Sequence, residues 1–562
     1  MNDSYRPVLR HVEFFAYLLA VWSFIVLFLE PIIGYYMNYK AVETYTALAN
    51  ILLLMLTILN RVLTGEHKKK INLIIFDVVI LILGALLMVY QAKFVIFFLL
   101  IRQTYFIIQF LIFRAFEGKL YHMLTGNPPI SLMLSFAFVI LGGTVILMLP
   151  ASSASNQVTP FLDALFTSTS ATCVTGLIVV DTGSYFSTFG QIIILLLIQI
   201  GGLGIMTVST AFAIILGQRI NLKLENIMQQ VVGGSQTINL FRLLKNIVIV
   251  TAIIESAGAA LLFLKFSQTE LPLRALYLSV FHSVSAFCNA GFALYSNNMA
   301  TFVDSFLVNF TITGLIILGG LGFTVLIDVN RYLFVRERVK KLSLHTKLVL
   351  FTSAALLVAG FAAYYFAEYN GVMSGFSIYR RILSSWFQSV TTRTAGFNTI
   401  DTSALGKSSV LITLILMFIG ASPGSTGGGI KTSTFAVLIL SLTSILRGKK
   451  DLSAFNRKIP ASNFREATSL IMLSAGIIFV LVFFLMLVEP HPFDRILFEA
   501  ISAFGTVGLS MGITPGLGSL GKFLITLLMY VGRIGPLTMI YALAIKKHYV
   551  NIDYAEEKIA IG

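Results

Sequence analysis

Residues 166–176 read FTSTSATCVTG, and three further stretches repeat the plan: FHSVSAFCNAG at 281–291, WFQSVTTRTAG at 386–396 and FEAISAFGTVG at 498–508. In each, an aromatic residue (Phe166, Phe281, Trp386 or Phe498) stands ten positions before a glycine (Gly176, Gly291, Gly396 or Gly508). The glycine is followed at once by Leu177, Phe292, Phe397 or Leu509. Every copy is short, rich in small residues and flanked by long apolar runs. Four equivalent re-entrant loops around one axis are what a tetrameric cation pore requires, here written into one polypeptide.

Outward from these loops the chain is membrane protein throughout. Of its 562 residues 57% are hydrophobic and only 12% charged, about half the charged share of a soluble domain. Windows able to cross a bilayer, about 20 residues each, fall near 13–33, 43–63, 71–91, 94–113, 130–150, 188–216, 244–265, 304–328, 346–366, 408–446, 466–488 and 519–545. The 408–446 run is too long for one straight helix. The glycines lie 115, 105 and 112 residues apart, so the repeating unit is helix, pore loop, helix. The expected fold is an all-α polytopic membrane protein: four pseudo-symmetric repeats around one pore, at 126–225, 226–340, 341–455 and 456–562, behind an N-terminal four-helix membrane module at 1–125.

The net charge of +15 invites a nucleic-acid partner, but its placement argues against one. Arg331, Arg336, Arg338, Lys340, Lys341 and Lys347 share one loop, and Arg447, Lys449, Lys450, Arg457, Lys458 and Arg465 another, whereas 150–162 has neither Lys nor Arg. Basic loops recurring after every second span put both termini in the cytoplasm by the positive-inside rule. The lipid bilayer is the partner this charge serves.

A loop that turns back at a glycine can aim its carbonyls inward, and irregular backbone at membrane depth is tolerated where it lines water. Val174, Thr175 and Gly176, Asn289, Ala290 and Gly291, Thr394, Ala395 and Gly396, and Thr506, Val507 and Gly508 form the expected selectivity filter. Their stacked oxygens would replace an ion's hydration shell. No acid lies within four positions of any of these glycines, so a monovalent cation, K⁺ or Na⁺, suits the ring better than a divalent one. Arg393, in the third loop, fits as a scaffold behind the filter. Cys173 and Cys288 occupy equivalent slots and read as small residues, with neither disulfide nor metal spacing. The seven histidines show no HExxH spacing, so the chain is not read as an enzyme, and no covalently bound cofactor is expected.

A second signature follows the loops: Gly201-Gly202-Leu203-Gly204, Gly319-Gly320-Leu321-Gly322, Gly420 onward, and Gly532-Arg533-Ile534-Gly535. The third copy opens GASPGSTGGGIKT, residues 420–432. It nearly spells a phosphate-binding loop, but Ile430 separates the last glycine from Lys431, and a membrane span precedes it where a strand should. Proline and this many glycines cannot sustain a helix. The expected gate is therefore this unwound segment (Gly420, Gly424, Gly427, Gly428, Gly429, Lys431), capped by Arg533 from the fourth inner helix.

SATCVTGL, TTRTAGFNT, GASPGSTGGGIKTST and VGRIGPLT make the chain resemble the Trk/Ktr/HKT family of potassium transporters over about 126–562. The tail from Ile552 to Gly562 is similar to the Ktr-type membrane subunit. The resemblance implies K⁺ as substrate with Na⁺ as a modulator, uptake across the plasma membrane, and a homodimer with one pore per chain. It also implies a separate cytosolic ring of nucleotide-binding, RCK-type regulatory subunits. A weakly selective or voltage-influenced Na⁺/K⁺ channel is the alternative. The voltage element would be Lys93, Arg102 and Arg114 in the fourth span, a sparse array for a sensor. Asp77 and Glu255 are further intramembrane acids, expected to pair with bases. The module at 1–125 departs from the family, whose members carry none or two extra spans there.

Overall fold

A computed structural model describes residues 128–204, 240–334, 341–449 and 451–536, together with 538, 539 and scattered positions between 44 and 78. The expected N-terminal module with Asp77, Lys93, Arg102 and Arg114 lies almost wholly outside the described residues, as does the tail from Ile552. Four units follow one another. The first is α1 (Pro128–Met148), α2 (Phe161–Thr172) and α3 (Thr188–Gly202). The second is α4 (Leu240–Phe266), α5 (Pro272–Phe287), α6 (Phe306–Leu321) and α7 (Phe323–Phe334). The third is α8 (Leu344–Ala367), α9 (Ile378–Thr391), α10 (Lys407–Phe418) and α11 (Thr432–Leu446). The fourth is α12 (Ala461–Val488), α13 (Phe493–Gly505) and α14 (Ser519–Ile534). Between the third and fourth lies a small hairpin, Ser453–Ala454 with Arg457–Lys458.

Each unit is thus an outer helix, a short pore helix and an inner helix. Lys245–Phe266, Leu344–Ala367 and Ala461–Val488 are long and apolar enough to cross a bilayer. Serine marks several helix starts: Ser187, Ser305, Ser343 and Ser377 each accept a first-turn amide, which satisfies a donor that the helix cannot pair internally. Burial runs opposite to that of a soluble protein. Phe351, Phe366 and Phe479 are exposed on the outer helices, whereas Ser168, Ser170, Ser283, Ser285, Ser389 and Ser502 are fully buried around the axis. An apolar exterior of this extent faces lipid.

The inner-helix glycines serve two purposes. A Cβ on Gly201, Gly319 or Gly532 would collide with the carbonyl of Thr172, Phe287 or Phe504 at the end of a pore helix, so these positions allow backbone-to-backbone packing. Three residues on, Gly204, Gly322 and Gly535 take φ of 94°, 94° and 91°, a left-handed region that ends the helix. The window at 304–328 is accordingly not one straight span: α6 and α7 meet at 100° across Gly322. The long 408–446 run is interrupted as expected, with α10 ending at Phe418 and α11 starting at Thr432.

The ten-residue spacing needs one correction. Ser168 and Ser283 on the first two pore helices donate to Ile140 O and Glu255 O of their outer helices, and the residue doing this in the third unit is Ser389, to Leu357 O. Counted from the glycine, Ser389 is one position late. Phe387, fully buried like Phe166, Phe281 and Phe498, therefore replaces Trp386 as the structural counterpart. Trp386 instead turns toward the second unit and donates from Nε1 to Thr313 Oγ1 at 3.3 Å. The third pore helix is separated from its glycine by one residue fewer, a deletion that a generous aromatic match conceals.

The fourth unit returns to the first. Lys522 of α14 meets Asp163 of α2 at 2.6 Å with both side chains under a fifth exposed, and Tyr530 donates to Met133 O at 2.7 Å. An ion pair intermediate between buried and exposed should contribute about 1–3 kcal/mol. Lys522→Met is expected to lower thermal stability in detergent by that amount, and an unchanged melting temperature would assign ring closure to packing alone.

Candidate functional site

The four pore helices end beside one another, and the loops that follow share a backbone trace. Two residues before each glycine, Val174, Asn289, Thr394 and Thr506 have φ of 54°, 58°, 72° and 49°. Gly176, Gly291, Gly396 and Gly508 follow at 93°, 70°, 74° and 90°, while Thr175, Ala290, Ala395 and Val507 between them are not left-handed. A uniform strand points successive carbonyls to opposite sides; changing the sign of φ at each step turns them to the same side. Sequence reasoning missed this left-handed step. Only Asn289 belongs to a type that favours it, whereas Val174, Thr394 and Thr506 are β-branched, for which it is strained.

The glycines close a ring. A Cβ on Gly291 would lie 2.7 Å from Ala395 O and 3.0 Å from Gly396 Cα. One on Gly396 would meet Val507 O, one on Gly508 would meet Thr175 O, and one on Gly176 would meet Ala290 O. Each repeat thus abuts the next, in chain order, and the fourth abuts the first. The residue before each glycine presents its carbonyl at the seam. All twelve residues expected to form the filter are brought together here.

Hydroxyls on the pore helices hold the loops. Ser170 donates to Leu177 O at 2.7 Å and accepts from Gly176 N at 3.1 Å. Ser285 donates to Phe292 O at 2.8 Å, Thr391 to Phe397 O at 2.5 Å, and Ser502 accepts from Gly508 N at 3.1 Å. The offset of the third unit recurs in the backbone. Thr175, Ala290 and Val507 amides donate five residues back, to Ser170, Ser285 and Ser502, but Ala395 donates four back, to Thr391. Arg393 points away from the ring, toward Ser353 of α8, whose carbonyl and hydroxyl both lie 3.4 Å from the guanidinium. Ser353 was not identifiable as its partner from the sequence, because the contact spans 40 residues.

The segment between α10 and α11 lies against this ring. Ile419 and Ile430 bridge its base, and Gly424 and Gly429 turn it with φ of 66° and 68°. A Cβ on Gly427 or Gly428 would strike Thr394 Oγ1 or Thr506 Oγ1, and Gly428 N donates to Thr506 Oγ1 at 2.9 Å. Bare glycine lets the segment touch the threonines of the third and fourth loops. Its other side fills the break between α6 and α7: Ser422 and Thr426 amides donate to Gly320 O and Gly319 O, and Phe323 N donates to Gly424 O at 3.0 Å. Helix ends leave such groups unpaired, and within a bilayer they need protein partners.

Lys431 donates from Nζ to Gly427 O at 2.8 Å, and Thr432 donates to Ser422 Oγ at 2.9 Å, so both side chains of the near phosphate-binding motif are spent within the segment. Arg533 is buried and donates to Thr426 O of the segment and to Gly201 O of α3. It joins three of the four units on one side of the ring. Gly420 packs on Gly428 O at the mouth of the segment. Among the described residues Glu255 meets no base; the Cys288 thiol lies 3.8 Å from its Oε1, and Gln199 is a second polar neighbour. Cys173 and Cys288 are buried free thiols at the ends of α2 and α5.

The profile of the TrkH family, described as a cation transport protein, matches residues 102–551. The Ktr system potassium uptake protein B of Bacillus subtilis is 41% identical over 438 residues, 78% of this chain and 97% of that protein. The potassium/sodium uptake protein NtpJ of Enterococcus hirae is 36% identical over 77% of this chain and 97% of its own length. The crystal structure of the potassium transporter TrkH from Vibrio parahaemolyticus shares the fold, with a TM-score of 0.64 at 18% identity, over 90% of this chain and 99% of that one.

Proposed function

The chain belongs to the TrkH family of cation transport proteins, and from that premise we propose that it carries K⁺ into the cell through the carbonyl ring at Gly176, Gly291, Gly396 and Gly508. The observation that carries the proposal is the closed seam, in which every glycine abuts the carbonyl of the next repeat. Four chemically alike oxygens per layer can stand in for the water around a dehydrated monovalent ion. The pore helices aim their C-terminal, partially negative ends at the space beneath, which favours a cation there and repels an anion.

The segment 420–432 is the gate in this reading, and Arg533 is its latch. Held against Thr394 and Thr506, the segment obstructs the path; released, it opens it. Transport is the activity, with K⁺ as cargo and no covalent chemistry. We further assign the protein to the plasma membrane, with both termini in the cytoplasm, as a homodimer working with a cytosolic ring of nucleotide-binding regulatory subunits. The potassium uptake proteins among its relatives support the substrate. The potassium/sodium protein among them supports the second reading, a weakly selective Na⁺/K⁺ pathway.

Flux into liposomes holding the purified chain separates the two. K⁺ flux exceeding Na⁺ flux by about tenfold or more is expected from a carbonyl ring sized for K⁺. Equal fluxes would establish the second reading instead.

A further inference from the structure

The pore helices of the second and fourth units carry a pair of groups that the filter loops themselves do not contain. His282 follows the buried Phe281, and Glu499 follows the buried Phe498. His282 Nε2 accepts the amide of Leu294 at 3.2 Å, and Glu499 Oε1 accepts the amide of Met511 at 3.1 Å. Both amides sit three residues beyond their filter glycines. An amide can only donate, so Nε2 carries no proton; Nδ1, 2.7 Å from Leu278 O, must carry it. The ring stacks on Tyr295 with centroids 5.4 Å apart and meets Phe266 and Phe281 edge-on, which leaves it one orientation. Glu499 is held as firmly, accepting also from Ser510 and from Thr514 Oγ1 at 3.0 Å.

In the first and third units the corresponding residues are Thr167 and Gln388, the latter by the one-residue offset. Neither makes a hydrogen bond to the matching amide, Val179 or Thr399, among the described residues. Sequence analysis singled out neither His282 nor Glu499. The repeat alignment itself was the available signal, since it places two polar residues of unlike chemistry in one buried slot.

We propose that His282 and Glu499 are positioning residues for ion selectivity, an inference that rests on the filter assignment above. Each clamps the outgoing chain of one filter loop to its own pore helix. Ser285 and Ser502, three residues further along the same helices, hold Phe292 O and Gly508 N. Two anchors on one helical face thus bracket Gly291 and Gly508 from behind. The clamped loops, second and fourth, are opposite one another in the ring. They set the distance across it, and the unclamped pair follows. A filter distinguishes ions by the spacing and field of its oxygens, so loss of a clamp should be felt as loss of discrimination before loss of flux.

The test is the K⁺/Na⁺ flux ratio of the full chain in liposomes, with melting temperature recorded for every variant. His282→Leu and Glu499→Leu remove the acceptor and leave a buried amide unpaired; each is expected to lower the ratio about tenfold while maximal K⁺ flux stays within about threefold. His282→Gln retains an acceptor at the same reach and is expected to hold the ratio near native. Thr167→Val and Gln388→Leu, at the unclamped positions, should not move it. If the leucine variants fail to fold, a backbone ester at residue 294 or 511 deletes the donor and leaves every side chain in place, with the same loss expected. A native ratio in the folded leucine or ester forms overturns the proposal. So does a fall in K⁺ flux and melting temperature with no change in ratio, which is what a merely structural role would give. Gly396→Ser is measured alongside. If it lowers the ratio and the clamp variants do not, the clamp alone fails; if it too leaves the ratio unchanged, the filter assignment fails first.

Discussion

Replacing Gly396 with serine is expected to reduce the K⁺/Na⁺ flux ratio about tenfold or more, because two penalties act at one position. The residue holds φ at 74°, where a β-carbon costs about 1–2 kcal/mol. That carbon would also press on Val507 O and lie 3.1 Å from Gly508 Cα and 3.3 Å from Gly291 Cα. None of these neighbours is a side chain able to rotate away, so the third and fourth loops must part. A parted ring no longer surrounds a dehydrated K⁺ and lets either ion pass with water retained, so the fitted ion loses its advantage; each 1.4 kcal/mol of differential binding corresponds to about a factor of ten. The check is ion-replacement flux at matched protein density. An unchanged ratio in folded protein would be incompatible with a filter at this seam.

Deleting Gly424–Gly429 is expected to raise resting K⁺ flux by about tenfold or more, since it removes the proposed obstruction together with Thr426, the residue that Arg533 holds. Arg533→Gln should act in the same direction at lower cost to the fold. Its guanidinium bonds to Thr426 O and Gly201 O are charge-assisted, and each such bond contributes about 1.5–3 kcal/mol. Losing them shifts the resting balance toward the released segment. A folded deletion that conducts no better than the native chain would make the segment a passive kink.

The fold was legible where glycine and hydropathy act locally. The four loop glycines, the break in the 408–446 run and the second glycine signature all follow from sterics that only glycine meets. What escaped the sequence depends on distant partners. Arg393 and Ser353, or His282 and the Leu294 amide, meet only after the helices pack, and no spacing rule joins them. The 100° turn after α6 was hidden for another reason. Residues 314–327 around it are almost wholly apolar, and hydropathy is blind to direction, so a bent pair reads as one span. The third pore helix misled because Trp386 and Phe387 are adjacent aromatics; composition could not say which of them is buried.

That one-residue offset has a genetic consequence. In an assembly of four identical subunits a codon lost ahead of the filter is lost four times over, and every loop must tolerate it at once. Here the four copies occupy a single reading frame, so the change is made once while the other three retain the longer connection. Four repeats in one chain turn a symmetry constraint into independent variation. Arg533, the offset helix and the pair His282 and Glu499 each occur in some repeats and not in the others.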